Sequence, residues 1–324
     1  MLIRVLASAL LAASLLSCAS TSSTLSESGA KSVEPVEWKQ VDRIDVVAIN
    51  ADLQADVPTV DIGLYYPANL DDQAVENLPL DGLIAEFINA KKVFEPVGIQ
   101  LNLLWVKAGV VDPSYLAINA SRSEAEMPSG GYGNMYEQRS RHPSTLPDET
   151  LEAFNAIIEP AENNHRTVYL VALENVYMTY YEDLDNGRNW APKVVNTYGL
   201  SFPSYVYGEG VPDRIRGAIT LTRHDVINRL TIAHELGHKL INVSHEYMAI
   251  SPQHEIRSDD GLMLYGPGTH IASGKEGRWH QERLLLSPYL YRLDRSGNRI
   301  WNPDYQAGGF YYDPIYKEYT VEFD

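Results

Sequence analysis

The sequence holds one cysteine, Cys18, in 324 residues. With no second thiol, no disulfide can form within the chain, and stability has to come from a packed core. Cationic residues are scarce: 26 Lys and Arg stand against 43 Asp and Glu, a formal charge of −17. No basic patch or tail offsets that balance, so the chain is expected to bind no nucleic acid. Long apolar runs are missing as well. Beyond the N-terminus, residues 98–106 and 167–173 are apolar over strand length only, whereas a spanning helix needs about 20 residues. What is present is 44% hydrophobic and 10% aromatic content. At about 100–200 residues per domain, the length fits one large or two modest domains.

The N-terminus has the order of an export signal: Arg4, then an apolar stretch over 5–16. It ends in Leu15-Leu16-Ser17-Cys18, which resembles the lipobox of bacterial lipoproteins. The resemblance implies lipidation of Cys18, a lipid anchor to the membrane, and export of the body to the periplasm or cell surface. An ordinary cleaved signal ending near Ala19 is the alternative. Residues 19–32 are rich in Ser, Thr, Gly and Ala, which suits a flexible tether.

Along the body, residues 44–50 and 60–66 are β-branched and aromatic and predict strands. Residues 81–97 predict a helix, with Leu83, Phe87, Ala90 and Phe94 at helical spacing and Pro96 and Gly98 ending it. Alternation over 99–107 predicts a strand, 121–147 a long loop, 149–159 a helix and 167–173 a buried strand. Residues 198–211 predict an edge strand, because Pro203 cannot donate to a ladder. Residues 216–221 predict a strand, and 225–241 a helix with Asp225 as N-cap. This order is that of an α+β fold: a mixed, mostly parallel twisted sheet with helices packed on it. From 275 on come a helix over 276–286 and Tyr-rich segments with a hairpin turn at 294–298.

The chemistry is concentrated at His234-Glu235-Leu236-Gly237-His238, an H-E-x-x-H pattern on the last of those helices. Residues i and i+4 share a face, so two imidazoles can reach one zinc at about 2.0–2.1 Å. Glu235 lies off that face, placed to take a proton from a zinc-bound water whose pKa falls towards about 7. A chance match is the bland alternative. Apolar Leu230, Ile232, Ala233, Leu236, Leu240 and Ile241 around the motif, and the room that Gly237 leaves, speak against it.

A third protein ligand is needed. His245 is nearest, but seven residues of unbroken helix would carry it about 10 Å past His238. The helix must therefore end between them, and Asn242 suits the left-handed cap position. The run His234 to His245 resembles the long zinc motif of the metzincin clan of peptidases, with two departures. Asn replaces the helix-ending Gly, and the turn residue and third histidine each come one position late. Metzincins also carry a methionine turn beneath their ligands, and Gly261-Leu262-Met263-Leu264-Tyr265 is similar to it. The resemblance implies that Met263 supports the site and that Tyr265 donates to the oxyanion; core packing and a half-buried aromatic are the alternatives. It further implies an edge strand that pairs with substrate, for which 198–211 is the candidate.

A rival set exists. His254-Glu255-Ile256-Arg257-Ser258-Asp259 resembles the ligand helix of gluzincins, with Glu255 as third ligand. His224, His270 and His280 are weaker candidates. Residues 182–187 hint at calcium, but their glycine falls early for an EF-hand loop and the closing glutamate is missing. The expected organisation is a signal over 1–18, a tether over 19–40, a metzincin-like catalytic domain over 41–274 and a C-terminal extension over 275–324. The expected function is zinc-dependent endopeptidase activity on polypeptides by a monomer; a non-catalytic zinc-binding surface lipoprotein is the rival from another class.

Overall fold

Val60, Ile62 and Leu64 alternate with Asp61, Gly63 and Tyr65, and all six are buried, as a strand covered on both faces requires. This strand, β2, is central in the computed structural model, which describes residues 36–120, 146–160, 166–183, 190–202, 211–224, 230–242, 261–263, 269–271, 280–281, 283–302, 309–313 and 317–321. In chain order the elements are β1 (Lys39–Gln40), α1 (Val46–Ile49), β2 (Thr59–Pro67), α2 (Asp72–Asn77), α3 (Leu80–Phe94), β3 (Gln100–Gly109) and β4 (Ala117–Asn119). There follow α4 (Asp148–Ile157), β5 (Thr167–Ala172), β6 (Asn175–Asp183), β7 (Trp190–Asn196), β8 (Gly199–Leu200), β9 (Ala218–Leu221) and α5 (Thr231–Ile241). Two hairpins close the chain: β10 (Leu290–Leu293) with β11 (Arg299–Trp301), and β12 (Gly309–Asp313) with β13 (Lys317–Val321).

The fold is α+β with a mixed, mostly parallel sheet. Its order is β1-β3-β2-β5-β9-β8. The four inner strands run parallel, while β1 and β8 add antiparallel at the two ends. The β10–β11 hairpin joins the same sheet, because β10 pairs antiparallel with the start of β2 at Leu290↔Val60. Buried Asp61 anchors it there, accepting from Asn102 Nδ2 and Tyr291 Oη at 2.7 Å and pairing with Arg299 at 2.7 Å. A second sheet, β4-β6-β7, stands apart from the first.

The expected strands and helices are found where apolar patterning was strong. Leu83, Phe87, Ala90 and Phe94 are buried on α3, and a left-handed Gly98 (φ 75°) turns the chain into β3. The turn over 294–298 also forms, with Asp294 accepting from the Ser296 and Asn298 amides.

The structure departs from these expectations at several points. Residues 44–50 are not a strand: Asp45 caps the short helix α1 by accepting from Ala48 N, and Ile44, Val46 and Ile49 share the face packed on the core. Asp225, the expected cap, lies outside the described residues; α5 begins at Thr231, with Leu230 as its N-cap and no side-chain bond from it. The hairpin β6–β7 was not expected, because the acidic Glu182 and Asp183 at the end of β6 and Pro192 within β7 mask the strand pattern. Lys39 and Gln40, inside the segment read as tether, pair with β3, and Trp38 packs on the core. Among the described residues, no helix is long and apolar enough to cross a membrane.

Candidate active site

The motif helix α5 is enclosed on nearly all sides, with every residue from Glu235 to Ile241 buried, against α3, β8 and β9. It ends as the cap residue predicts: Asn242 is left-handed (φ 56°, ψ 55°) and its N–H donates to His238 O. Arg283 closes the same end by donating to Ile241 O at 3.4 Å.

His234 and His238 converge. Their Nε2 atoms lie 3.1 Å apart, and two nitrogens sharing a tetrahedral zinc at about 2.0–2.1 Å would be separated by about 3.3 Å. His234 Nδ1 lies 2.7 Å from Leu262 O. A carbonyl can only accept, so Nδ1 carries the proton and Nε2 of a neutral ring keeps its lone pair. Burial pushes the His234 imidazole below its usual range, favouring that neutral form. A carbonyl behind the ligating ring is the usual support of a metal-binding histidine. The pair therefore fits a divalent cation of the zinc type. Among the described residues, no group of three or more His, Cys, Asp or Glu side chains is arranged to hold one. His245, Glu255 and Tyr265 lie outside the described residues, as does Cys18.

Met263 is fully buried beneath the helix. A Cβ on Gly237 would overlap the Met263 sulfur and sit 3.3 Å from Leu262 Cδ2, so glycine lets the helix press on this turn with the methionine in its present position. The turn is held in its place by Leu262 N donating to His270 O at 2.8 Å. His270 is thus recruited through its backbone, and its side chain is exposed.

Glu235 is buried on the helix face that meets β8. Burial pushes its carboxyl well above the usual carboxylate range, against the opposing pull of Lys239 and of the Ser201 N–H. Gly199 in β8 lies so close that a Cβ there would be 2.7 Å from Glu235 Cγ and 2.9 Å from Thr231 Cγ2. Lys239, one turn beyond Glu235, is also buried; its Nζ donates to Arg216 O at 2.7 Å and Phe202 O at 3.4 Å. Burial and the nearby Arg216 hold that ammonium below the usual lysine range.

Sequence reasoning missed Glu86. This buried carboxylate on α3 accepts from Thr231 N at 2.6 Å and Ile232 N at 3.4 Å, and lies 2.8 Å from His224 Nδ1. It caps α5 from another element, which explains why Leu230 can occupy the N-cap. The available signal was a charged residue on the buried Leu83–Phe87 face of α3. His224 is this structural partner, and His280 is buried in the helical segment near Arg283. At the start of β8, a polar cavity of about 280 Å³ is lined by Asp71, Glu174, Asn196, Tyr198 and Arg223, among others. No protein-family model and no curated protein matches the chain.

Proposed function

We propose that the protein is a zinc-dependent endopeptidase of metzincin type. The reading is carried by the two Nε2 atoms of His234 and His238 at 3.1 Å, beside a buried Glu235. His234 and His238 would hold the ion, with His245 as third ligand. Zinc, when bound, supplies a Lewis acid that polarises the scissile carbonyl and acidifies water. Glu235 is the general base and returns the proton to the leaving amine. Its burial raises its proton affinity above that of an ordinary carboxylate, the direction that strengthens a base. Gly199 admits β8 against Glu235, and among the described residues no strand pairs with the outer edge of β8. That edge suits an extended polypeptide added by β-augmentation. Tyr265, two residues beyond Met263, is the candidate oxyanion donor.

The packing of Met263 against Gly237 favours this reading over a gluzincin one with Glu255 as ligand, because it sets a methionine turn directly beneath the ligand helix. Export and lipid anchoring at Cys18 belong to the same proposal. The rival from another class, a zinc-binding lipoprotein without turnover, has no use for a base at Glu235.

Glu235→Gln decides between them. The variant is expected to keep the wild-type zinc stoichiometry by elemental analysis and to lose about 10²–10⁴-fold in hydrolysis of an unfolded protein substrate. Equal hydrolysis by both forms sinks the mechanism.

A further inference from the structure

Thr231, Glu235 and Lys239 recur every four residues and form one stripe along α5. The segment 199–202 lies along that stripe. Gly199 packs on Thr231 and Glu235, the Ser201 N–H lies near enough to the Glu235 carboxylate to oppose the effect of its burial, and Phe202 O accepts from Lys239 Nζ. The same ammonium donates to Arg216 O, just ahead of β9, the strand that β8 pairs with. One buried cation therefore holds both sides of the antiparallel pair β8–β9 to the helix that carries the histidines.

Phe202 has a left-handed backbone (φ 46°) although it is not glycine. Such a conformation costs about 1–2 kcal/mol and persists where its surroundings enforce it. Its side chain is buried edge-on against Phe154 at 5.1 Å, and its carbonyl goes to Lys239. A buried lysine is otherwise expensive, and an apolar residue would fill the same helical position at no electrostatic cost. Placing an ammonium there is explicable if its donors hold backbone carbonyls that nothing else on α5 could reach.

We propose that Lys239 is a positioning residue: it clamps the edge strand to the motif helix and so holds the 199–202 backbone, with Gly199 at its closest approach, against the Glu235 side chain. The consequence for turnover rests on the peptidase reading; the clamp itself does not.

The test compares the full-length wild type with Lys239→Met and Lys239→Gln, of which the second keeps a neutral donor. Three readouts are taken: zinc stoichiometry, amide hydrogen exchange resolved at Ser201, and kcat and KM on a protein substrate. Expected are unchanged zinc content, unchanged exchange in β5, and Ser201 exchange at least tenfold faster in Lys239→Met, with a smaller increase in Lys239→Gln. kcat is expected to fall in the same order, because Glu235 loses its fixed orientation while its identity is kept. Unchanged Ser201 exchange in both variants overturns the clamp, and so does global unfolding of both, which would make Lys239 a general core residue. Faster Ser201 exchange in a protein whose wild type hydrolyses nothing upholds the clamp and defeats the peptidase reading instead.

Discussion

Gly237 and Met263 meet where a side chain on the glycine would have been, with the methionine sulfur in the space a Cβ would fill. Glycine inside a helix is ordinarily about 1 kcal/mol worse than alanine. Here the preference should invert. Met263 is fully buried and cannot swing into solvent, so Gly237→Ala overpacks the contact and is expected to destabilise by about 1–3 kcal/mol in urea unfolding. Combining it with Met263→Ala should restore part of the loss, a coupling visible in a double-mutant cycle. A Gly237→Ala variant more stable than wild type would show that the turn is not pressed against the helix.

Glu86 reaches across from α3 to the first amides of α5. Glu86→Ala leaves the Thr231 and Ile232 N–H groups and the His224 ring without this acceptor, at an expected cost of about 2–4 kcal/mol. Glu86→Gln keeps an acceptor oxygen and should cost less than half as much. Chemical denaturation of the two variants separates the effects; equal losses would show that the negative charge, and not a neutral acceptor of the same shape, is what α5 requires.

This carboxylate marks the limit of what was legible beforehand. Strands with buried runs, such as β2 and β5, and the helix α3 declare themselves through spacing. So did the left-handed cap at Asn242, because a local steric preference governs it. The contacts that assemble the site are of another kind. Glu86 lies 145 residues from Thr231, and Lys239 lies 37 from Phe202. No periodicity encodes such pairs; the only trace is a charge on an otherwise apolar face. The segment 44–50 misled for the opposite reason. Its β-branched residues carry strand propensity, but Asp45 caps a turn of helix, and one local bond outweighed a weak preference.

His280 gives the fold a pH dependence. Burial holds its imidazole down to about 4, against about 6.5 in an unfolded chain. The folded pKa is the lower one, so the unfolded state takes up the proton first as pH falls. The associated stability is complete above about pH 6.5 and is lost progressively towards pH 4. Between pH 7.5 and 4.5 the loss should be about 2–3 kcal/mol beyond whatever the carboxylates contribute. His280→Leu removes the titrating group at similar volume. Urea unfolding of both proteins at the two pH values, with chelator present, should show a smaller pH difference in the variant by that amount; parallel behaviour would place a charged or solvated ring at position 280.

The third ligand can be assigned by subtraction. Two imidazoles alone leave a zinc-type ion one protein ligand short of the usual catalytic set. The left-handed Asn242 ends α5 three residues before His245, removing the geometric objection that an unbroken helix would raise against it. Zinc content and affinity are therefore expected to collapse in His245→Ala, by about 10-fold or more, and to stay near wild type in Glu255→Ala. Competition with a chromogenic chelator measures both. Loss in Glu255→Ala alone would replace the metzincin reading by the gluzincin one. Loss in neither would leave His234 and His238 as a two-histidine site and remove the basis for water activation at Glu235.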